Sequence, residues 1–297
     1  MEGWQPTFDL LGEDGHVTRG TTGALVAALT TTLLVSGCGS ALKPAKVDPK
    51  AAASATATQS TPGPPPPAPK VGDCYDLTYK ESLKGTSTVD PVPCKKKHTS
   101  VTFYVGKFDP IVDGHLLAVD SDEVQAQIAK ACPSKVGDWV GGSLDARRLS
   151  RFKATWFSPT LAASESGADW FRCDLVAKRG DQSFETITGT KGVLDDPAAL
   201  DTYGTCSTTD PGDGTKTFET VACAEPHSWR AVSVVDIPQD AGYLGRFPQR
   251  IGDDACKAAA QQRATDPLKL KWAFQWPSKE AFDAGQRYGL CWVPDKA

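Results

Sequence analysis

Val92-Pro-Cys-Lys-Lys-Lys-His98, running on into Thr99-Ser-Val-Thr-Phe-Tyr-Val-Gly106, decides how this chain is to be read. It returns as Val221-Ala-Cys-Ala-Glu-Pro-His227, followed by Arg230-Ala-Val-Ser-Val-Val-Asp-Ile237. In both places a Cys-x3-His element leads into residues rich in β-branched and aromatic types, which read as a strand. Outward from these stretches the agreement continues in one order. Gly72-Asp-Cys74 precedes the first and Gly204-Thr-Cys206 the second. Cys132 and Cys256 follow. Each set then closes on Pro-x7-Gly-x2-aromatic-x2-Cys: Pro159, Gly167, Trp170, Cys173 in one, and Pro277, Gly285, Tyr288, Cys291 in the other. Trp156 and Phe274 stand three residues before each proline. Several residue types recurring in one order indicate an internal duplication.

Local patterns fill in the unit. Ser121-Asp-Glu-Val-Gln-Ala-Gln-Ile-Ala-Lys-Ala-Cys132 reads as a helix, with Ser121 as N-cap and acids in its first turn. Val124, Ile128 and Cys132 lie four apart, so Cys132 belongs to the apolar face. Pro248 opens the matching helix, which carries Cys256. Trp170-Phe-Arg-Cys-Asp-Leu-Val and Tyr288-Gly-Leu-Cys-Trp-Val read as closing strands. The expected fold class is α+β: a tandem repeat of two small disulfide-stapled modules, each with two strands, a helix and a last strand, after a disordered tether.

The chain has nine cysteines, an odd number. Cys38 stands apart from the rest. It ends Val35-Ser-Gly-Cys38, which resembles a bacterial lipobox, behind an apolar stretch from Gly23 to Val35. A membrane-spanning helix needs about 20 apolar residues, whereas an export signal core needs about 7–15. The segment therefore reads as a signal whose cysteine is acylated, rather than as an uncleaved anchor with a buried thiol. Residues 1–16 carry four acids and no Lys or Arg, which suits no export signal, so Val17 is the expected translation start. With Cys38 set aside, eight cysteines remain for disulfides in an oxidising compartment. Four per unit allow three pairings, and sequence does not choose among them. The expectation adopted is Cys74–Cys94 and Cys132–Cys173, then Cys206–Cys223 and Cys256–Cys291. It supposes that neighbouring strands are clamped locally and that the helix cysteine faces the closing strand.

From Cys38 to Lys70 the chain has no aromatic residue, few large aliphatics and a run of four prolines. Such a segment cannot bury enough apolar surface to offset its ordering entropy, and its prolines favour an extended spacer. The expected organisation is a signal region over 1–37, a lipidated Pro/Ala/Thr-rich disordered linker over 38–70, a first module over 71–180 and a second over 198–297.

Charge is close to balanced, with 32 Lys and Arg against 36 Asp and Glu, which gives no basic footprint for nucleic acid. No phosphate loop, nucleophile elbow or zinc-protease helix occurs. His98 and His227 are the candidate ligand-facing residues. Their other reading is structural, with each imidazole hydrogen-bonded to backbone beside a disulfide. The neighbouring cysteines are expected to be oxidised, and His16 and His115 have no counterparts, so no metal, cofactor or catalytic residue is expected. Lys95-Lys-Lys97 reads as a solvated turn, or else as a contact for anionic wall polymer or lipid headgroups. Asp210-Pro-Gly-Asp-Gly-Thr215 lacks the ligand alternation of a calcium loop and reads as a turn. Asp195-Asp196 and Asp253-Asp254 suggest no chemistry. Trp156, Trp170, Trp229, Trp272, Trp276 and Trp292 read as core or strand aromatics, or as part of a sugar or peptide platform.

Together these motifs resemble the septum-formation domain family of actinobacterial envelope proteins, in two copies over about residues 71–297. Pro277-Ser-Lys-Glu-Ala-Phe-Asp-Ala-Gly285-Gln-Arg is the closest part. Where the family has Pro-His followed by an acid, this chain has Lys97-His98-Thr and Pro226-His227-Ser. The resemblance implies a role in division or the cell envelope and carries no catalytic residues. The function expected is that of a non-enzymatic lipoprotein on the outer face of the cell membrane, presenting two modules to an envelope protein or cell-wall ligand. The alternatives are an extracytoplasmic hydrolase of peptidoglycan or peptides using His98 or His227 as base, and an envelope sensor or regulator.

Overall fold

A computed structural model of the chain describes residues 63–180, 182–212, 218–243, 249–264 and 269–295. Val17, the signal region, Cys38, the linker up to residue 62 and Pro248 lie outside them. In chain order the elements are β1 (Cys74–Tyr75), α1 (Tyr79–Ser82), β2 (Ser100–Lys107), β3 (Ile111–Val112), β4 (His115–Leu116), α2 (Asp122–Val140), α3 (Leu144–Leu149), β5 (Phe152–Phe157), α4 (Leu161–Glu165), β6 (Trp170–Arg179) and β7 (Ser183–Phe184). Two short 3-10 turns follow, then α5 (Leu200–Tyr203), β8 (Thr205–Ser207), β9 (Thr220–Ala222), β10 (Trp229–Asp236), α6 (Gln249–Arg263), β11 (Ala273–Gln275), α7 (Lys279–Asp283) and β12 (Tyr288–Pro294). The fold is mixed α+β.

Strands pair antiparallel in two five-stranded sheets. The first has the order β1-β2-β6-β5, with β7 added on β6, and the second runs β11-β12-β10-β8-β9. In both, a long strand following the His pairs with the closing strand. Both pairs carry a bulge one step from the closing cysteine, between Thr102 and Tyr104 opposite Cys173 and between Ala231 and Ser233 opposite Cys291. The extra residue re-aims the strand at the point where the helix is stapled to it. Cys74 bridges to Val92 as Cys206 pairs with Val221.

Strand alternation on β6 sends Phe171, Cys173, Leu175 and Ala177 into a core with Val124, Ile128, Cys132 and Val140 of α2. The four α2 residues are fully buried, the first three as their four-residue spacing anticipates. Two expectations about this helix need correction. It does not end at Cys132 but continues through Pro133 to Val140. A proline there forfeits one intrahelical bond, and tertiary anchoring offsets that loss: Val140 is buried, and Trp139 Nε1 donates to Thr190 Oγ1 at 3.0 Å. Ser121 sits at the N-cap, yet its side chain makes no capping bond. Caps with side-chain bonds are instead Thr78, Ser143, Thr160 and Ser278.

The strands β5 and β11 are more than the expected unit contained. Phe152–Phe157 pairs along β6, and Ala273–Gln275 along β12. Phe274 lies on bare backbone: a Cβ on Gly252 or Gly289 would fall 2.3–2.4 Å from its ring. The two sheets meet through α3. Leu149 is buried with Trp229, Ala231, Ala273 and Trp292. Arg151 N donates to Tyr203 O at 2.8 Å, and Thr205 Oγ1 to Leu149 O at 2.9 Å.

Candidate functional site

Four disulfides join Cys74–Cys94, Cys132–Cys173, Cys206–Cys223 and Cys256–Cys291, with Cα–Cα distances of 5.3, 5.4, 5.0 and 5.0 Å. The pairing is local in each sheet, because the β1–β2 and β8–β10 registers bring the early cysteines beside the Cys-x3-His turns. One member differs in setting: Cys94 is exposed, while Cys223 is buried.

His98 and His227 are both buried. The Nδ1 of His98 donates to Lys96 O at 2.8 Å, and that of His227 to Glu225 O at 2.7 Å. A carbonyl only accepts, so the proton in each of these bonds belongs to Nδ1. The backbone carbonyl of His98 accepts from Ile187 N at 3.0 Å. His227 Nε2 faces Asp295 Oδ2 at 3.5 Å, and that carboxylate also takes Arg230 Nε at 2.7 Å. Each imidazole thus closes the turn that carries its disulfide. Among the described residues neither ring is hydrogen-bonded to a hydroxyl or thiol, and no three His, Cys, Asp or Glu side chains gather as a metal site.

A pronounced electrostatic perturbation lies at residues that spacing did not single out. On the face of β6 opposite Cys173, Asp174 is fully buried and Arg172 nearly so. Arg172 Nε stands 3.1 Å from Asp174 Oδ2, and its guanidinium lies over the rings of Tyr75 at 3.8 Å and Phe157 at 4.7 Å. Thr102 Oγ1 donates to Asp174 Oδ1 at 2.6 Å. Burial pushes the Asp174 carboxyl up to about 6, against the lowering pull of Arg172, Thr102 and Ser100. Desolvation likewise raises Tyr75. Tyr75, Leu77 and Phe157 cover the pair and are themselves buried, so it organises the sheet and meets no ligand. Its signal in the sequence was two opposite charges flanking a core cysteine on one strand, where alternation sends both to the same face.

The other sequence candidates lie apart from one another. Lys95, Lys96 and Lys97 are exposed in a turn. Asp195 accepts from Gly142 N, Asp196 from Ala198 N and Asp210 from Gly212 N, so these acids fasten turns. Trp292 is fully buried and donates to Gln275 Oε1 at 3.0 Å. Trp276 stacks on Phe282, with centroids 6.3 Å apart. Trp170 lines a cleft of about 500 Å³ at the end of β2 and β6, opposite Pro65 and Pro66. A second cleft of about 350 Å³ lies beside the end of α6, bordered by Arg263, Lys269 and Lys271. Among the described residues no helix is long and apolar enough to cross a membrane.

No curated protein and no solved structure matches the chain significantly. The sequence profile of the family described as Septum formation matches residues 71–250. That span is more than half of the 297 residues and holds the first sheet, the Cys206–Cys223 staple and both histidines, and on it the chain belongs to the septum formation family.

Proposed function

We propose that the chain is a lipoprotein of an actinobacterial cell envelope, acylated on Cys38 and held on the outer face of the membrane by the 38–70 linker. There it presents two copies of one binding module, over 71–180 and 198–297, to an envelope protein or wall ligand. Membership in the septum formation family suggests a role in division or the envelope. The observation that carries the location is the use of eight cysteines in four disulfides. Such density belongs to an oxidising compartment and leaves Cys38 as the one cysteine for acylation. Duplication is supported by the shared strand order, the paired bulges and the matching staples. Binding rather than catalysis is supported by the burial of both imidazoles in the turns beside their disulfides.

The test is to feed cells an alkyne-bearing fatty acid and fractionate them. The wild-type chain takes the label and stays with membranes, and Cys38→Ala loses both properties. Free thiols throughout a cytosolic, unlabelled chain would overturn the reading. Septum microscopy of a deletion strain tests the link to division.

A further inference from the structure

We propose that the Cys74–Cys94 disulfide is a site of reversible thiol exchange, at which Cys94 takes up a small anionic thiol as a mixed disulfide. The staples differ in what surrounds their sulfur. Seven of the eight bridged cysteines are buried, at 5% exposure or less. Cys94 is exposed, and so are Pro93 before it and Lys95, Lys96 and Lys97 after it. Exposed disulfides are the ones that exchange. A thiol arriving from solvent meets Cys94, because Cys74 is covered at 2% exposure.

Charge decides which thiol is favoured. Three ammonium groups follow Cys94 in the chain, and among the described residues none of them is in an ion pair. In the second sheet the same three places hold Ala224, Glu225 and Pro226, and Glu225 takes Arg179 Nη2 at 2.8 Å. There the cysteine is buried and the charge of the turn is paired; at Cys94 neither holds. The attacking form of a thiol is the thiolate, itself an anion. A cationic turn raises the local concentration of anions and their encounter rate. The favoured class is therefore a thiol that carries a further carboxylate or sulfonate.

In the exchange the thiolate sulfur bonds to Cys94 Sγ and the Cys74–Cys94 S–S bond breaks. Its electron pair leaves on Cys74 Sγ, which takes a proton from water. The incoming sulfur is oxidised and that of Cys74 reduced, so no further oxidant or reductant enters. Gly72 O, 3.7 Å from Cys74 Sγ, can accept the S–H so formed. Attack by the Cys74 thiolate on Cys94 Sγ expels the thiol and restores the staple. The first strand is held without sulfur throughout. Val92 N donates to Cys74 O at 2.7 Å and Thr99 N to Tyr75 O at 3.0 Å. Gly72 N donates to Thr102 O and Thr102 N to Asp73 O, each at 2.8 Å. His98 Nδ1 closes the turn on Lys96 O. Opening this staple therefore leaves β1 paired and the turn closed.

The experiment uses the full chain with Cys38→Ser, so that every remaining cysteine is bridged. It is treated with mercaptoethanesulfonate, an anion, or with cysteamine, a cation, and free thiols are trapped by alkylation before peptide mapping. The sulfonate adduct should appear first on Cys94, with the alkyl group on Cys74, the other three staples intact and the near-ultraviolet circular dichroism retained. At low salt the rate constant per thiolate should favour the sulfonate by about tenfold or more. Lys95→Ala combined with Lys96→Ala and Lys97→Ala should remove most of that preference, and glutamate at the same three positions should reverse it. Salt at about 0.5 M should flatten it in the unsubstituted turn. A first adduct on any other cysteine, a preference unchanged in the alanine variant, or loss of the near-ultraviolet signal as Cys94 is modified would each overturn the proposal.

Discussion

Where the first sheet buries an ion pair, the second buries a tryptophan. Flanking Cys173 are Arg172 and Asp174; flanking Cys291 are Leu290 and Trp292. Opposite Asp174 the bulged strand offers Thr102, and opposite Trp292 it offers Ala231. The same backbone frame is filled in one case by charge, hydroxyl and aromatic faces, and in the other by a single large ring with one hydrogen bond to Gln275. The difference teaches what the paired strands require. The staple and the bulge recur, while the face opposite the staple needs only to be full and satisfied. A buried pair gains little over well-packed apolar residues but is costly to break.

The sharpest way to break the comparison is to remove one charge. Arg172→Ala leaves Asp174 buried and unpaired, and should lower stability by about 3–5 kcal/mol in denaturant unfolding. Exporting the second sheet's solution, as Thr102→Ala with Arg172→Leu and Asp174→Trp, should cost less than Arg172→Ala alone. A larger loss from the triple variant would show that the two faces are not interchangeable.

The next effect is on pH dependence. Asp174 is held at about 6 instead of its ordinary 3.8. The folded chain therefore binds this proton more tightly than the unfolded chain, and stability falls as pH rises through about 4 to 6. The contribution is at most about 3 kcal/mol. Asp174→Asn should remove that slope, and hydrogen exchange should place the wild-type change in the first sheet. A slope unchanged in the Asn variant would exclude Asp174 as its source.

Histidine to alanine substitutions come third. His98→Ala and His227→Ala each remove a buried imidazole and, with it, the donor to the carbonyl of Lys96 and Glu225 respectively. Each should cost about 1–3 kcal/mol in stability. The loss should be read as a lower Tm in both, with exchange increasing around the Cys94 turn in one and the Cys223 turn in the other. An unchanged Tm with impaired binding to envelope extract would move that histidine to the ligand.

The smallest effect is at the joint. Arg148→Ala removes a stacked guanidinium and a partly exposed ion pair to Asp236, and should cost about 1 kcal/mol. Reduction sharpens the same comparison kinetically. With Cys94 exposed, dilute reductant should open Cys74–Cys94 before Cys206–Cys223, as followed by peptide mapping of trapped thiols.

The sequence by itself determined the order of cysteines, histidines and closing strands, because the same residue types recur in one order along it. It placed Val124, Ile128 and Cys132 on one buried face, since helical spacing is a local property. Only the tertiary structure decided that α2 runs through Pro133, because the partners that hold its last turns are distant in the chain. It also decided that β5 and β11 are strands, their hydrogen bonds being supplied by β6 and β12. That Arg172 and Asp174 share a sealed face followed from Tyr75 and Phe157 covering it, and the cleft at Trp170 needed the tether folded back across the sheet. Burial of a charge and closure of a cleft depend on what arrives from elsewhere in the chain, and no local pattern carries that information.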